Sequence, residues 1–256
     1  EVAGLSRMGQ RGPIDRFRNR LTWPIRDISG DVVGFGARKL ASDDIDDGPK
    51  YLNTPETPIY KKSQVLYGLD LAKKEIAKKR QAVIVEGYTD VMAAHLAGIP
   101  TAVATCGTAF GTDHIRILRR LLMDDDAFRG EVIFTFDGDA AGQKAALRAF
   151  SDDQKFVTQT FVAVEPDGLD PCDLRQHKGD LALRDLIARR VPLFEFAIRT
   201  ELNQHKLDTA EGRVNALNAA APLVAQIRDK SLRHEYTRLL AGWLGVEVET
   251  VSAVVA

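Results

Sequence analysis

The chain has 256 residues, of which 45% are hydrophobic and 28% charged, as in an ordinary globular protein with roughly two or three small domains. No run approaches the ~18 consecutive apolar residues of a transmembrane helix, and residues 1–20 lack the apolar segment of a signal peptide. The two distant cysteines, Cys106 and Cys172, and the scattered histidines form neither a zinc pattern nor a disulfide framework, which fits a reducing cytoplasm.

Charge is distributed unevenly along the chain, although the net charge is only −1. Residues 1–80 contain 16 Lys and Arg against 11 Asp and Glu, so they carry +5 and the remaining residues carry −6. A basic first part followed by an acidic remainder indicates a polyanion-binding surface beside a metal-binding carboxylate site. Ordinary solvated charge would give the same composition, so the motifs have to decide between these two interpretations.

The first of three predicted regions covers residues 1–75 and is rich in Arg, Gly and Pro. It contains short β-like runs such as residues 31–36, and an acidic, polar stretch at 42–49 that we predict to be an exposed loop. We therefore expect a basic N-terminal subdomain of mixed α and β structure.

The second region, residues 76–179, alternates between short apolar strands and amphipathic helices. The predicted strands and helices are, in chain order, 82–85, 90–97, 101–105, 113–123, 132–136, 142–150 and 161–164. Strands that alternate with helices imply right-handed crossovers, and hence an α/β fold with a mostly parallel sheet flanked by helices on both faces.

The third region, residues 180–256, shows only helical periodicity from about Leu181 onward. Its apolar stripes are Leu193, Phe194 and Ile198, then Val214, Leu217, Ala221 and Val224, then Leu232, Tyr236, Leu239, Leu240 and Trp243. These stripes predict a small C-terminal helical bundle.

Acidic residues follow three of the predicted strands. Glu86 follows the first strand, Asp137 and Asp139 follow the third, and Asp170 and Asp173 follow the fourth. An isolated Asp-Gly-Asp is more often a polar turn than a metal site. Ligand sites of open α/β sheets, however, lie at the carboxyl ends of the strands, and hard cations such as Mg²⁺ prefer oxygen ligands. The coincidence at three strand ends therefore predicts a metal site.

The sequences at these strand ends resemble the toprim domain that topoisomerases and primases share. They are Glu-Gly-Tyr-Thr-Asp-Val-Met-Ala at 86–93 and Phe-Asp-Gly-Asp-Ala-Ala-Gly at 136–142, followed by the later acidic turn. The N-terminal region resembles the bacterial DnaG-type primase core in Gly-Phe-Gly-Ala-Arg at 34–38, Pro-Lys-Tyr-Leu-Asn-Thr-Pro-Glu-Thr at 49–57 and Leu-Tyr-Gly-Leu at 66–69. The resemblance extends over nearly the whole chain.

This resemblance implies a DNA primase, that is, a DNA-directed RNA polymerase of DNA replication. Such a nucleotidyltransferase makes short RNA primers on a single-stranded DNA template by metal-dependent transfer from NTPs. The implied cofactor is Mg²⁺ or Mn²⁺, without zinc in this part of the protein. The implied partners are the template, NTPs, the RNA primer and the replicative helicase, and no membrane. We expect the helicase-binding domain and the zinc module of full-length members to lie outside this chain, and a bacterial cytoplasmic, nucleoid-associated location.

The resemblance and the chemistry together assign roles to individual residues. The expected catalytic residues are Glu86, Asp137 and Asp139, with Glu86 acting either as general base or as a ligand. The expected metal ligands are Glu86, Asp137, Asp139, Asp170 and Asp173, although Asp173 could instead cap a helix. The basic residues expected to face template and nucleotide are Arg16, Arg18, Arg38, Lys50 and Lys62.

Two departures from the family pattern lie in the acidic motifs. Cys172 stands where the family commonly has an acid, and Ala140 stands where a basic residue is frequent. Because Mg²⁺ does not bind a neutral thiol, we expect Asp170 to bind the metal directly and Asp173 to act through water. The alternatives are another toprim enzyme (a topoisomerase or nuclease), a non-catalytic nucleotide-binding or single-strand-binding module, and, more distantly, an Asp-x-Asp phosphatase.

Overall fold

The structure is a computed structural model that describes residues 4–42, 48–122, 130–137 and 159–255, without the side chains of Phe136 and Asp137. The predicted helix at 142–150, and with it Asp139 and Ala140, lies outside the described residues. Within the described ranges, no helix combines the length and the apolar character that crossing a bilayer would require.

The N-terminal region is built from antiparallel strands. Strands β1 (Ser6–Gly9) and β2 (Gly12–Asp15) form a hairpin, and β3 (Arg20–Arg26), β4 (Val32–Lys39) and β5 (Tyr51–Asn53) form a sheet in the order β3-β4-β5. Trp23 and Ile25 alternate with exposed residues along β3, so one face of this sheet is buried. A short 3-10 helix, Lys62–Gln64, connects this sheet to the rest of the chain.

A second sheet forms the centre of the molecule. Its strands are β6 (Leu66–Tyr67), β7 (Gln81–Val85), β8 (Ala102–Thr105), β9 (Glu131–Asp137), β10 (Gln159–Glu165) and β11 (Val191–Pro192). Their order is β11-β10-β9-β7-β8-β6, with the four inner strands parallel and the two edge strands antiparallel. The predicted parallel sheet is therefore confirmed.

Helices cover both faces of this sheet. They are α1 (Leu69–Lys79), α2 (Tyr88–Leu96), α3 (Thr112–Leu122) and α4 (Pro171–Ala188). Val83 and Val85 of β7 pack against α2 and α4, whereas Ala82 and Ile84 pack against α1 and α3. This alternation follows from the pleat of a strand, and it explains why β7 is apolar at successive positions.

The C-terminal region is helical, as predicted, with α5 (Leu193–Leu202), α6 (Ala210–Ala225), α7 (Lys230–Leu244) and α8 (Val248–Val255). Thr209 and Asp229 cap α6 and α7 by accepting backbone N–H groups. Val214, Leu232 and Leu239 were predicted to lie in the bundle core but are exposed, because neighbouring positions of α6 and α7 face the core instead.

The junction between the sheet and the bundle differs from the sequence prediction. The stretch from Leu181 onward was predicted to be only helical, but β11 pairs with β10 and attaches the bundle to the sheet edge. A two-residue strand has no periodicity that a pattern could reveal. Helix α4 starts at Pro171 and is interrupted at Gly179, where φ is +83°. The boundary predicted between residues 179 and 180 coincides with this interruption, and the division into three subdomains stays a prediction.

Candidate metal centre and nucleic-acid interface

Three acidic segments lie at one edge of the central sheet. Strands β10, β9 and β7 are neighbours and parallel, so their carboxyl ends lie at the same edge. Glu86 directly follows β7 and is exposed, and Asp137 is the last residue of β9. Asp137 lies opposite Glu165 in the ladder, and Asp170 follows shortly after Glu165. The structure thus brings the backbone of the predicted acidic segments together, apart from Asp139, which lies outside the described residues.

Asp90 connects two of these segments and was missed by the sequence analysis. Its side chain is 4% exposed; Oδ2 accepts the Gly87 N–H at 2.9 Å, and Oδ1 accepts the Cys172 N–H at 3.2 Å. Gly87 is the N-cap of α2, and Asp90 is the third residue of that helix, where an acidic side chain commonly accepts the N–H of the N-cap residue. This spacing was the signal for Asp90 in the sequence. Asp90 therefore couples the position of Glu86 to that of the turn containing Asp170.

The electrostatics of this edge favour a cation. Burial raises the pKa of Asp90 to about 7, helped by the Asp170 and Glu86 carboxylates, although the N–H groups of Cys172 and Gly87 act in the opposite direction. Carboxylates this close together repel one another, and a hard divalent ion bound at this edge would relieve the repulsion. In the described part of the chain, no three such side chains form a metal-binding group by themselves. The predicted set includes the Asp137 side chain and Asp139, which are not described.

Asp170 and Asp173 have different positions in helix α4. Asp170 is the N-cap, with Oδ1 accepting the Asp173 N–H at 2.7 Å, so the alternative role of Asp173 as the cap is wrong. Asp173 is exposed in the first turn. The half-buried Cys172 accepts a hydrogen bond from Gln176 at 3.1 Å, and burial raises the pKa of its thiol. A thiol in this state is a poor ligand for Mg²⁺.

An exposed aromatic residue lies among the predicted basic residues. The Arg38 guanidinium and the Lys50 ammonium lie 5.8 and 6.0 Å from the ring centroid of Tyr51, which is 43% exposed. Tyr51 was not among the predicted site residues, although the Lys-Tyr pair in the motif at 49–57 was a signal. An exposed ring beside cations can stack on a base while the cations contact phosphates.

The other predicted basic residues have different surroundings. Arg16 is half-buried and donates from Nη2 to the carbonyl of Asn53 at 3.3 Å, two residues along the chain from Tyr51. Arg18 is exposed in the connection between β2 and β3. Lys62 is half-buried at the start of the 3-10 helix, and its backbone N–H donates to the side-chain Oε1 of Glu56 at 3.1 Å. Arg16, Arg38 and Lys50 therefore all contact residues 51–53, whereas Lys62 belongs to a separate segment.

The basic surface and the acidic edge are joined by side-chain contacts. The Tyr88 hydroxyl donates to Asn53 Oδ1 at 2.9 Å, and Asn53 Nδ2 donates to the Cys106 carbonyl at 3.1 Å. A Cβ at Gly36 would lie 2.3 Å from the Tyr88 ring, so only glycine permits this approach. Tyr88 is two residues from Glu86, and Asn53 is two residues, about 7 Å along the strand, from Tyr51. The two surfaces are consequently held side by side.

His114 holds the segment that contains Lys62, and it predicts a pH dependence. It is 1% exposed; Nδ1 accepts the Gly111 N–H, so Nε2 donates to the Lys62 carbonyl at 2.9 Å. Burial lowers its pKa from 6.5, although the backbone groups of Lys62 and Val65 and nearby Asp113 oppose this shift. The folded protein therefore resists protonation of His114. The contribution of neutral His114 to the free energy of unfolding is complete above pH 6.5. It is lost as the pH falls through the lowered pKa of His114 in the folded protein.

The measurement is urea unfolding between pH 5 and 8 for the wild type, His114→Gln and His177→Gln. His177 is exposed, so its replacement is the control that retains the wild-type dependence. Equal pH dependence in all three proteins would contradict this role of His114.

Three family models match the chain. The DNA primase catalytic core N-terminal domain matches residues 1–73, the Toprim domain matches residues 80–163, and the DnaB-helicase binding domain of primase matches residues 194–249. Among solved structures, the RNA polymerase domain of Mycobacterium tuberculosis primase DnaG in complex with double-stranded DNA is 63% identical. It has a TM-score of 0.87, and the match covers 96% of this chain and 77% of that chain. The chain belongs to the DnaG-type DNA primase family.

Further relatives agree with this membership. A DNA primase domain from Pseudomonas aeruginosa is 36% identical, with a TM-score of 0.79 over 99% of this chain and 78% of that chain. The DNA primase of Streptomyces coelicolor is 67% identical over 245 residues, which are 96% of this chain but 38% of that protein. The chain thus spans 38% of the length of this curated relative. The predicted fold class is confirmed, and the Toprim match agrees with the use of a divalent metal ion.

One expectation about the family is corrected. The helicase-binding domain was expected to lie outside this chain, whereas the family model of that name matches residues 194–249. These residues form α5, α6, α7 and the start of α8. The bundle was predicted correctly, but helical periodicity contains no information about which protein a bundle binds.

Proposed function

We propose that this chain is the catalytic core of a DNA primase that joins ribonucleotides from NTPs into short RNA primers on single-stranded DNA. One observation carries the proposal: an acidic sheet edge lies beside an exposed basic and aromatic surface, and the hydrogen bond from Tyr88 to Asn53 joins them. Template-directed synthesis needs this combination, because a polyanionic template has to be held next to the carboxylates that act on the nucleotide.

The acidic edge supplies the chemistry in this proposal. Glu86, Asp137, Asp139 and Asp170 hold divalent ions, Mg²⁺ or Mn²⁺, and Asp173 contributes through water. Bound Mg²⁺ lowers the cost of the negative charge that develops on the phosphoryl oxygens. The primer 3′-oxygen forms a bond to the α-phosphorus as the bond to pyrophosphate breaks, and the hydroxyl proton has to leave. Glu86, exposed at the edge, accepts this proton or completes the ligand set, and the pH profile of Glu86→Gln distinguishes the two.

The basic surface holds the nucleic acid. Tyr51 stacks on a template base, Arg38 and Lys50 contact phosphates on either side of it, and Arg16 supports the surface through Asn53. Arg18 and Lys62 contact the template or the incoming nucleotide at the periphery. This arrangement resembles the stacking platforms with flanking cations that bind single strands without sequence preference.

The salt dependence of single-strand binding tests this surface. The double variant Arg38→Ala, Lys50→Ala is expected to flatten the slope of log affinity against log salt by about 1.4, since each phosphate contact contributes about 0.7. Tyr51→Ala is expected to weaken binding by about 1–3 kcal/mol with the slope unchanged. Fluorescence anisotropy between 50 and 300 mM salt measures both quantities.

The matched control is Lys74→Ala, Lys78→Ala, which removes two exposed cations from α1. If this control flattens the slope as much as Arg38→Ala, Lys50→Ala does, the template path lies elsewhere.

Template-dependent incorporation of labelled ribonucleotides with Mg²⁺ and Mn²⁺ tests the proposed activity. Relaxation of supercoiled DNA or cleavage of a single strand, without incorporation, would indicate another toprim enzyme. Binding of DNA and nucleotide without any reaction would indicate a binding module. The match of residues 194–249 to a helicase-binding domain supports the further proposal that the replicative helicase contacts the helical bundle.

A further inference from the structure

Glu165 is a buried carboxylate at the acidic edge that has no assigned role. It is the last residue of β10 and 3% exposed. Its Oε2 accepts the Asp167 N–H at 2.7 Å and the Leu169 N–H at 3.0 Å, and its carbonyl accepts the Gly168 N–H at 3.3 Å. One side chain therefore satisfies the backbone of the tight turn that follows the strand.

The other carboxylate oxygen is held by a lysine. Lys178 of α4 donates to Glu165 Oε1 at 3.2 Å and to Asp167 Oδ2 at 2.5 Å. A buried carboxylate is costly unless it is paired and hydrogen-bonded, and these contacts meet both conditions. Because both oxygens of Glu165 are already engaged, it is not itself a suitable metal ligand.

The turn that Glu165 organises ends at Asp170. Beyond Asp170, the chain is held by the Asp90 carboxylate through the Cys172 N–H, and before it by Glu165 through the Leu169 N–H. Glu165 also lies opposite Asp137 in the ladder between β9 and β10. The distance between the β9 segment and Asp170 is therefore set by the conformation of this turn.

We propose that Glu165 is a positioning residue that holds Asp170 in place for metal binding, an inference that rests on the proposed function. Its carboxylate shapes the turn, and Lys178 holds that carboxylate in its orientation. In Glu165→Gln, the side chain keeps only one oxygen. If that oxygen accepts the backbone N–H groups of the turn, the new NH₂ group has to face the Lys178 ammonium. Two hydrogen-bond donors then meet, which is unfavourable.

Mn²⁺ affinity, measured by electron paramagnetic resonance on the full chain, tests the proposal without relying on activity. Glu165→Gln is expected to bind Mn²⁺ about 10–100-fold more weakly, the usual effect of removing a residue that orients a ligand. Hydrogen exchange at the Asp167 and Leu169 amides is expected to accelerate. The double variant Glu165→Gln, Lys178→Gln is expected to recover most of the Mn²⁺ affinity. The new NH₂ group at position 165 can then donate to the side-chain oxygen of the glutamine at position 178.

Two controls separate positioning from charge. Lys178→Gln alone is expected to change the Mn²⁺ affinity by less than Glu165→Gln does. Changes of equal size and opposite sign in these two variants would indicate a through-space effect of charge, and they would overturn the proposal. Glu131→Gln removes a carboxylate that is paired with Arg190 at the opposite end of the same sheet, and it is expected to bind Mn²⁺ like the wild type.

Glu165→Asp keeps the charge but withdraws the carboxylate by one methylene, and it is expected to weaken Mn²⁺ binding as well. Wild-type affinity in this variant would overturn the proposal even if Glu165→Gln failed to fold. Absence of Mn²⁺ binding in the wild type would contradict the proposed function itself, which is a different result from unchanged binding in the Glu165 variants.

Discussion

Asp170→Asn is expected to reduce template-dependent primer synthesis about 1000-fold while the protein stays folded. Asparagine can still cap α4 by accepting the Asp173 N–H, so the helix keeps its N-terminal hydrogen bond. What is lost is the negative charge beside Asp90 and Glu86. Losing a metal-binding carboxylate costs several kcal/mol of transition-state stabilisation, and about 4 kcal/mol corresponds to this factor.

Single-turnover ribonucleotide incorporation, together with thermal unfolding, measures this effect. Cys172→Ala is the matched control two residues away: it removes the thiol, keeps the N–H that donates to Asp90, and is expected to be nearly silent. Asp173→Ala is expected to be intermediate, since that residue acts through water. Activity of Asp170→Asn near the wild-type level would remove Asp170 from the ligand set. The same loss is expected for Asp137→Asn and Asp139→Asn.

Asp90→Asn is expected to reduce primer synthesis about 100-fold, with weaker Mn²⁺ binding. Its carboxylate accepts N–H groups from both Gly87 and Cys172, and an amide can accept with only one of its two terminal atoms. One of the two acidic segments therefore loses its anchor, and residues that orient ligands typically contribute 10–100-fold. A buried N–H without an acceptor also costs about 1–3 kcal/mol of stability.

The control for Asp90→Asn is Asp27→Asn in the turn between β3 and β4. Asp27 also accepts several backbone N–H groups, from Ser29, Gly30 and Asp31, but it belongs to the N-terminal sheet. All three groups donate to Oδ1, an oxygen that asparagine keeps, so Asp27→Asn is expected to retain the wild-type Mn²⁺ affinity and activity. If Asp90→Asn loses stability but keeps both Mn²⁺ affinity and activity, Asp90 only holds the fold together.

The acidic edge could be predicted from the sequence because its signals are local. The run Ala82 to Val85 is apolar and β-branched, and Glu86 directly follows it. Asp137 likewise stands at the end of an apolar run, as the last residue of β9. Parallel strands end at the same edge, so a strand followed by an acid indicates a site without knowledge of the remaining fold.

The roles proposed for Asp90, Tyr51 and Glu165 depend on contacts with other strands, turns and helices, which a local sequence pattern does not show. Asp90 contacts the N–H of Cys172, and Tyr51 depends on Arg38 of the adjacent strand. The role of Glu165 follows from a lysine of α4.

By itself, the sequence determined the class of the fold, the alternation of strands and helices, and the acids that follow the strands, since these depend on the periodicity and composition of short segments. Only the tertiary structure decided the strand order β10-β9-β7, the attachment of the bundle through β11, and the contact of Tyr88 with Asn53. These features come from hydrogen bonds and packing between residues that are distant in the chain. Their energies depend on which surfaces meet, and a local pattern does not contain that information.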